Sequence, residues 1–163
     1  AKAYILLKNG LRETYGITEN PAFEYVKHEK PVLRDYPDIH FNLSHCKHGV
    51  LCVIDDKPIG CDIEEIETAL DINLCHYCYN DSEVADILSA PDSCVAFTKL
   101  WTMKEAKLKL IGSGITDNMK NVLDGSEHFE TVVNEKKGYI YSVIYYKMII
   151  FAGKMINFKT IAL

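Results

Sequence analysis

Apolar residues recur at the spacing of a helix in three parts of the chain. The first part covers residues 3–15 and is followed by a glycine, a common stop signal. The second opens at Asn80, with Glu83 three residues later in the pattern of a capping box. The third covers residues 97–114 and ends in Gly-Ser-Gly. We therefore predict three helices, and the first is already under way where the sequence begins.

Short apolar runs bounded by turn residues predict strands between and after these helices. Two or three short strands separated by tight turns, between residues 39 and 66, favour an antiparallel meander. Each half of the chain runs from a helix to several strands, with no long flexible linker between the halves. This order predicts an α+β fold in two similar lobes, residues 1–58 and 59–163, that pack directly together. The predicted strands are 23–26, 39–43, 50–54, 59–66, 129–133, 139–146 and 148–154.

The composition is that of an ordinary soluble protein. The chain has 163 residues, of which 48% are hydrophobic and 25% charged, so it can bury a sizeable core. No apolar run approaches the ~18–20 residues of a membrane span, and no signal-peptide pattern is present. A net charge of −5 argues against a broad basic surface for nucleic acid. We expect neither membrane nor nucleic acid as a partner.

Six cysteines raise the alternatives of disulfides, a zinc site or reduced thiols. Cys75 and Cys78 have the CxxC spacing, but no second pair lies at a zinc-site distance. Cys52 and Cys61 fall inside strand-like apolar runs, where free cysteine packs as a small hydrophobe. We favour reduced, structural thiols in a cytoplasmic protein over a zinc site.

Three acids form the best candidate for chemistry. Asp62 and Glu64 face the same side of a strand, because the side-chain period of a strand is two. Side-by-side carboxylates repel unless a cation or proton compensates them. A third carboxylate, Glu105, and Lys109 one helical turn later would suit Mg²⁺ with a substrate phosphate. The plainer alternative is a solvated strand edge and a surface ion pair.

Two dipeptides are ambiguous from spacing alone. Ser44 and His45 could form a loop turn or contact a phosphate. They are poor serine-hydrolase candidates, because adjacent side chains on an extended chain diverge and no elbow glycines flank them. Lys30 and Pro31 could contact a nucleotide or merely begin a strand.

The order and spacing of these motifs resemble the 4′-phosphopantetheinyl transferases, most closely the larger, monomeric, surfactin-synthetase-activating (Sfp-like) type. The resemblance runs from about residue 3 to residue 114, and the C-terminal strands follow only loosely. The motifs that carry it are Lys-Pro at 30–31, FNxSH at 41–45, GxDIE at 60–64 and WxxKExxxK at 101–109.

The resemblance implies a fold and a reaction. Enzymes of this family have two similar α+β lobes related by a pseudo-two-fold, with coenzyme A in the cleft between them. They transfer the phosphopantetheine arm of coenzyme A to a serine of an acyl or peptidyl carrier protein. The other product is adenosine 3′,5′-bisphosphate. We expect the same transferase activity here, in a cytoplasmic monomer.

The resemblance also implies roles for individual residues. Glu105 is the family's usual candidate for the general base, and Lys109 matches a lysine that contacts the pyrophosphate. Glu83 matches an acid sometimes proposed to assist, although its capping role already explains it. Mg²⁺ would be held by Asp62, Glu64 and Glu105. Coenzyme A would be bound by His28, Lys30, Pro31, Ser44, His45 and Lys109.

Two departures from the family pattern leave alternatives open. Family members usually carry a further N-terminal segment with basic residues for the 3′-phosphate, and this sequence begins just after it would end. Glu29 replaces the glycine that often precedes Lys-Pro. A catalytically weak coenzyme A- or carrier-binding relative is therefore the alternative, and a metal-dependent phosphohydrolase is a third.

For comparison with Lys109, we expect Lys107 to be a solvated lysine whose replacement by alanine has little effect.

Overall fold

The architecture is known from a computed structural model, which describes residues 2–26, 28, 30–114, 118–146 and 159–162. It is a mixed α+β fold, in agreement with the predicted class. The predicted strand at residues 148–154 and the substitution at Glu29 lie outside the described residues. The elements in chain order are α1 Lys2–Tyr15, β1 Phe23–Tyr25, β2 Pro31–Leu33, β3 His40–Cys46, β4 Gly49–Asp55, β5 Ile59–Glu65, α2 Ile72–Cys78, α3 Asp81–Ser89, α4 Ser93–Ile111, a 3₁₀ turn Met119–Asn121, β6 Phe129–Asn134, β7 Tyr139–Tyr145 and β8 Lys159–Ala162.

The first sheet is built on the hairpin of β3 and β4. Strand β4 lies in its centre, antiparallel to β3 on one side and to β8 on the other. The apolar stripe of α1, including Leu7 and Leu11, packs against Phe41, Cys52 and Ile54 of this hairpin. The helix predicted over residues 3–15 is therefore confirmed, as is the pairing of the first two strands of the meander.

The third strand of the predicted meander does not join that sheet. Strand β5 pairs antiparallel with β7, in a second sheet of order β5-β7-β6. The reason lies in burial, because Ile59, Cys61 and Ile63 of β5 pack in one core with Leu51 and Val53 of β4. Strand β5 thus packs against the first sheet through its side chains rather than extending it by hydrogen bonds. Of the two or three strands predicted for the meander, two pair as expected, and the alternative with a third strand was wrong.

The second half contains the two predicted helices and one that was missed. Asn80 caps α3 in a capping box with Glu83, as predicted, and Asp92 caps α4. The missed helix, α2, is only seven residues long and starts from Asp71 as its N-cap. Its cysteines stand one helical turn apart and are buried, so the CxxC spacing is a helix packing pattern.

The division into lobes at residue 58 stays a prediction, as does a pseudo-two-fold between them. Strand β8, from the end of the chain, is paired with β4 of the first half. None of the helices within the described ranges is both long and apolar enough to span a membrane. The sheets and α4 meet at β5, which carries the predicted metal ligands Asp62 and Glu64.

Candidate functional site

A glycine sets how closely α4 approaches β5. A Cβ built on Gly60 would lie 2.2 Å from the carbonyl oxygen of Ala106 and 2.7 Å from the Cβ of Leu110. Only a residue without a side chain fits there, because such distances are far shorter than a non-bonded contact. The close approach places the helical residues Glu105 and Lys109 beside the acidic end of β5.

Asp62 is the centre of the polar cluster at this junction. Its Oδ1 accepts hydrogen bonds from the hydroxyl of Ser44 at 2.7 Å and from Nζ of Lys109 at 2.5 Å. The Lys109 ammonium also donates to Ser44 Oγ, at 3.0 Å. Asp62 is 1% exposed, so this charge is compensated in the interior by the lysine. The structure thus brings together three residues that the sequence proposed separately.

Within the part of the chain that the structure describes, two buried carboxylate oxygens at this cluster have no hydrogen-bond partner. They are Oδ2 of Asp62 and Oε1 of Glu105. Burial, then the charge of Asp62, raise the pKa of Glu105. The same two causes, in the same order, raise the pKa of Glu64 to about 7. One lysine therefore faces three acids, and the site carries more negative charge than its partners compensate.

The donor chemistry of this cluster fits a divalent cation such as Mg²⁺. Carboxylate oxygens are the ligands that Mg²⁺ prefers, and a buried unpaired oxygen is costly without a partner. In the part of the chain that the structure describes, no three His, Cys, Asp or Glu side chains stand close enough together to hold a metal as they are. Lys109 holds Asp62 instead, so a metal would require that lysine to turn away.

An open pocket of ≈ 220 Å³ borders the cluster. Glu105 and Lys109 form one wall, and the loop before β2 forms another. Five of the predicted site residues therefore share one pocket. The residues that line it are His28, Lys30, Pro31, Phe41, Asn42, Leu43, Glu105, Leu108, Lys109, Gly112 and Gly114.

Lys30 ties the pocket's loop to the end of α4. Its Nζ donates to the carbonyl oxygen of Leu110 at 2.8 Å, and its burial lowers its pKa. Gly112 ends the helix in the left-handed region, with φ 68°, and a Cβ there would lie 3.1 Å from Cδ of Lys30. His28 also has a positive φ, 56°, which is unusual for a residue with a side chain. In this conformation Lys30 acts as a cap for the helix C-terminus.

His45 is the predicted site residue that the structure does not bring into this cluster. It follows Ser44 on β3, so its side chain points to the opposite face of the strand, where it is exposed. Asn42, by contrast, was part of a quoted motif without an assigned role. Its amide donates to the carbonyl oxygen of Lys109 at 3.4 Å, which links β3 to α4 at the pocket wall. The motif itself was the signal for Asn42, since residues 42 and 44 share a strand face.

Two lysines of α4 serve the fold rather than the pocket. Lys104 is fully buried, and its Nζ donates to Glu83 at 2.7 Å and to two backbone carbonyls. Lys107 is ion-paired with Asp124 and Glu127. The expectation that Lys107 is a solvated lysine was therefore wrong, because two acids from the loop before β6 surround it.

The six cysteines are free thiols, as predicted. Burial raises the pKa of Cys75 and of Cys78, which favours the protonated and unreactive form. Burial also raises the pKa of Cys52 to about 12. The buried thiols therefore pack as small apolar groups in the core.

Known proteins resemble this chain over the region that carries the cluster. The family model of the 4′-phosphopantetheinyl transferase superfamily matches residues 58–147, which is more than half of the chain. The 4′-phosphopantetheinyl transferase psf-1 of Bacillus pumilus is 39% identical over 115 residues, covering 69% of this chain and 49% of that protein. The 4′-phosphopantetheinyl transferase gsp of Aneurinibacillus migulanus is 37% identical, with 68% and 47% covered. The 4′-phosphopantetheinyl transferase Sfp of Bacillus subtilis strain 168 is 30% identical, with 69% and 51% covered. The chain spans about half the length of the curated relatives it matches.

Proposed function

Because the chain belongs to the 4′-phosphopantetheinyl transferase superfamily, we propose that it carries out Mg²⁺-dependent transfer of the 4′-phosphopantetheine arm of coenzyme A. The acceptor is the hydroxyl of a serine in an acyl or peptidyl carrier protein. The serine oxygen bonds to the phosphorus next to pantetheine, and the bond from that phosphorus to the bridging oxygen breaks. Adenosine 3′,5′-bisphosphate leaves with the electron pair.

One observation carries this proposal above the others. Buried carboxylate oxygens of Asp62 and Glu105 lack partners, beside a lysine at the wall of an open pocket. Uncompensated negative charge next to a partly exposed cationic side chain suits a substrate that brings both phosphate and metal. A solvated strand edge, the plainer alternative for the acids, does not explain oxygens that are buried.

Mg²⁺ would be held by Asp62 and Glu105, with Glu64 beside them. When bound, it would neutralise the charge of the pyrophosphate and make it a better electrophile. Lys109 would then be free to donate to a phosphate oxygen, since the cation takes over its role beside Asp62.

Glu105 is the residue to accept the proton of the carrier serine. Its carboxylate lies at the pocket wall, where it would meet the hydroxyl of a bound carrier serine. Its oxygen Oε1 has no protein partner and is therefore available for a proton or a ligand.

The adenosine end of coenzyme A would occupy the part of the pocket lined by His28, Lys30 and Pro31. A contact with His45 would require the substrate to reach the other face of β3.

Incubation with coenzyme A, MgCl₂ and an apo carrier protein tests the reaction. We expect the carrier to gain the mass of one phosphopantetheine group and adenosine 3′,5′-bisphosphate to appear in equal amount. Coenzyme A breakdown without a gain in carrier mass would show a phosphohydrolase instead. Binding of coenzyme A without either product would show a non-catalytic relative.

Glu105→Gln removes the carboxylate that would serve both as general base and as a ligand of Mg²⁺. Loss of a general base should lower the transfer rate by about 10²–10⁴-fold. Glu130→Gln is the matched control, because Glu130 is exposed on β6 and outside the pocket. A Glu105→Gln protein that transfers at the control's rate would remove Glu105 from this role.

A further inference from the structure

A second pocket, of ≈ 200 Å³, lies along the N-terminal half of α4. Its residues on this helix are Phe97, Thr98 and Trp101, whereas the first pocket contacts α4 only from Glu105 onward. Trp101 and Glu105 are four residues apart, so their side chains are neighbours on one helical face, with about 5–6 Å between Cβ atoms. The candidate general base therefore stands between the two pockets along the helix.

Three carboxylates at the end of β5 and just after it also line the second pocket. They are Glu64, Glu65 and Glu67. Glu65 is engaged by the turn between β3 and β4, since it accepts the Lys47 N–H at 3.1 Å and lies 3.8 Å from Nε2 of His48. Within the described ranges, neither Glu64 nor Glu67 forms a salt bridge, and no lysine or arginine lines this pocket. The pocket therefore carries negative charge without a cation.

The rest of the lining is mostly aromatic and aliphatic. Phe97 is buried, Trp101 is half-buried, and Leu74 of α2 is 43% exposed. Aromatic rings and carboxylates both attract organic cations. Aromatic rings supply no oxygen ligand for Mg²⁺, and carboxylates repel a phosphate. Charge complementarity therefore favours a lysine ammonium or an arginine guanidinium, whose apolar stem can pack on the rings.

The acidic side of the second pocket is fixed to the helix before any ligand binds. Thr98 is 2% exposed, and its hydroxyl accepts the backbone N–H of Glu67 at 3.2 Å. Trp101 follows Thr98 by one helical turn. The fold thus sets the spacing between the Glu67 backbone and the aromatic wall, and a preformed pocket loses less conformational freedom on binding.

We propose that the second pocket receives a basic side chain of the carrier protein, from a residue within about two positions of the acceptor serine. This inference rests on the proposed function, which places the serine hydroxyl at Glu105 and coenzyme A in the first pocket. From Glu105 to Trp101 is about 6 Å along the helix, a distance that a lysine or arginine side chain near the serine spans. The protein therefore selects carriers with a positive charge beside the serine and disfavours those with a negative charge there.

The fluorescence of Trp101 tests the proposal directly, because this is the only tryptophan of the chain and it lines the second pocket. The probe is an apo carrier protein without tryptophan, prepared in two forms. One form has lysine, and the other glutamate, at the second residue before and the second residue after the acceptor serine. Titrations in EDTA without coenzyme A exclude transfer. We expect the lysine form to change the Trp101 emission and to bind with a Kd about 10-fold or more below that of the glutamate form.

Charge changes at Glu67 separate this contact from general electrostatics. Glu67→Gln should lower the ratio of the two Kd values, and Glu67→Lys should bring it to one or reverse the preference. The Glu67 side chain is exposed, so neither change removes a buried contact. Glu130→Lys is the matched control, because it makes the same change of charge at an exposed position of β6 outside both pockets. This variant should keep the wild-type ratio.

Three results would overturn the proposal. The first is a lysine form that leaves Trp101 emission unchanged or binds no more tightly than the glutamate form. The second is a wild-type ratio that persists in Glu67→Lys. The third is displacement of the lysine form by coenzyme A, which would assign the second pocket to the pantetheine arm.

The proposed reaction can fail separately from this assignment. A protein that shows the charge preference in EDTA but transfers nothing when coenzyme A and MgCl₂ are added would refute the reaction and leave the docking pocket standing. Transfer to both carrier forms without any charge preference in binding would have the opposite meaning.

Discussion

Two lysines of helix α4, Lys104 and Lys109, lie five residues apart and differ in whether the polar atoms around them all have partners. The three hydrogens of the Lys104 ammonium go to Glu83 and to the carbonyls of Cys78 and Met119. Glu83 is in turn held by the N-cap of α3. Among the described residues, no buried side-chain polar atom of this set lacks a hydrogen-bond partner, and we call such a set closed.

The set around Lys109 is open. The lysine side chain is 32% exposed, and two carboxylate oxygens near it have no partner. A set in which every buried polar atom is paired stabilises one conformation. A set with unpaired polar atoms is stabilised further when a bound ligand supplies the missing hydrogen-bond or charge partners. Charge and burial alone therefore do not distinguish a functional site from a structural ion pair. Carboxylate oxygens without partners beside a pocket do distinguish it.

The largest expected effect tests the closed set. Lys104→Met should lower the free energy of unfolding by about 3–5 kcal/mol, because it leaves the Glu83 charge without its buried partner. Urea denaturation measures the loss. Lys99→Met, at an exposed position of the same helix, should change it by less than ~0.5 kcal/mol. A loss below ~1 kcal/mol for Lys104→Met would mean that the set is not closed.

A smaller effect is expected at the open set, with a different response to metal. Lys109→Met should lower the free energy of unfolding in EDTA by about 1–3 kcal/mol, because Asp62 keeps a buried charge with one donor fewer. Saturating Mg²⁺ should recover much of this loss by supplying the missing charge. Thermal melts with and without Mg²⁺ compare the two variants. If Mg²⁺ shifted the Tm of Lys109→Met and of Lys104→Met equally, the surroundings of the two lysines would not differ in their response to metal.

The third prediction concerns pH. The folded state raises the pKa of Glu64 to about 7, from 4.5 for the free side chain. Between these values the folded protein binds more protons than the unfolded chain, so its stability falls as the pH rises. Glu64→Gln removes this pH-dependent contribution to the free energy of unfolding. The free energy of unfolding of the variant, relative to wild type, should therefore increase from pH 5 to pH 8 in EDTA. Glu130→Gln should show no such trend, and a trend of the opposite sign would contradict the raised pKa.

Local patterns in the sequence were sufficient for much of the fold. The capping box at Asn80 and the periodicity of α4 depend on residues within one or two turns, and both predictions are confirmed. The alternation of β5 correctly placed Asp62 and Glu64 on the strand. The departure of β5 from the meander was not visible, because it depends on the side chains of β4 that cover its apolar face.

The polar contacts were the least predictable part. Lysine is almost never fully buried. Nothing in the sequence therefore indicated that Lys104 would be buried and that Lys109 would border the pocket. Lys107 has its partners near residue 125, in a loop with no periodic signal. Ser44 and Asp62 are 18 residues apart, and their contact follows from how β3 and β5 pack.

The bonds that join Lys109 to Ser44 and Lys30 to Leu110 span 65 and 80 residues of the chain. Contacts of such range form late in folding, because the long intervening loop must be closed before they contribute any free energy. A chain emerging from the ribosome cannot assemble the pocket until α4 has been synthesised and packed on β5. The hairpin of β3 and β4, whose strands are adjacent in sequence, is therefore complete in the chain before the ligand site can form.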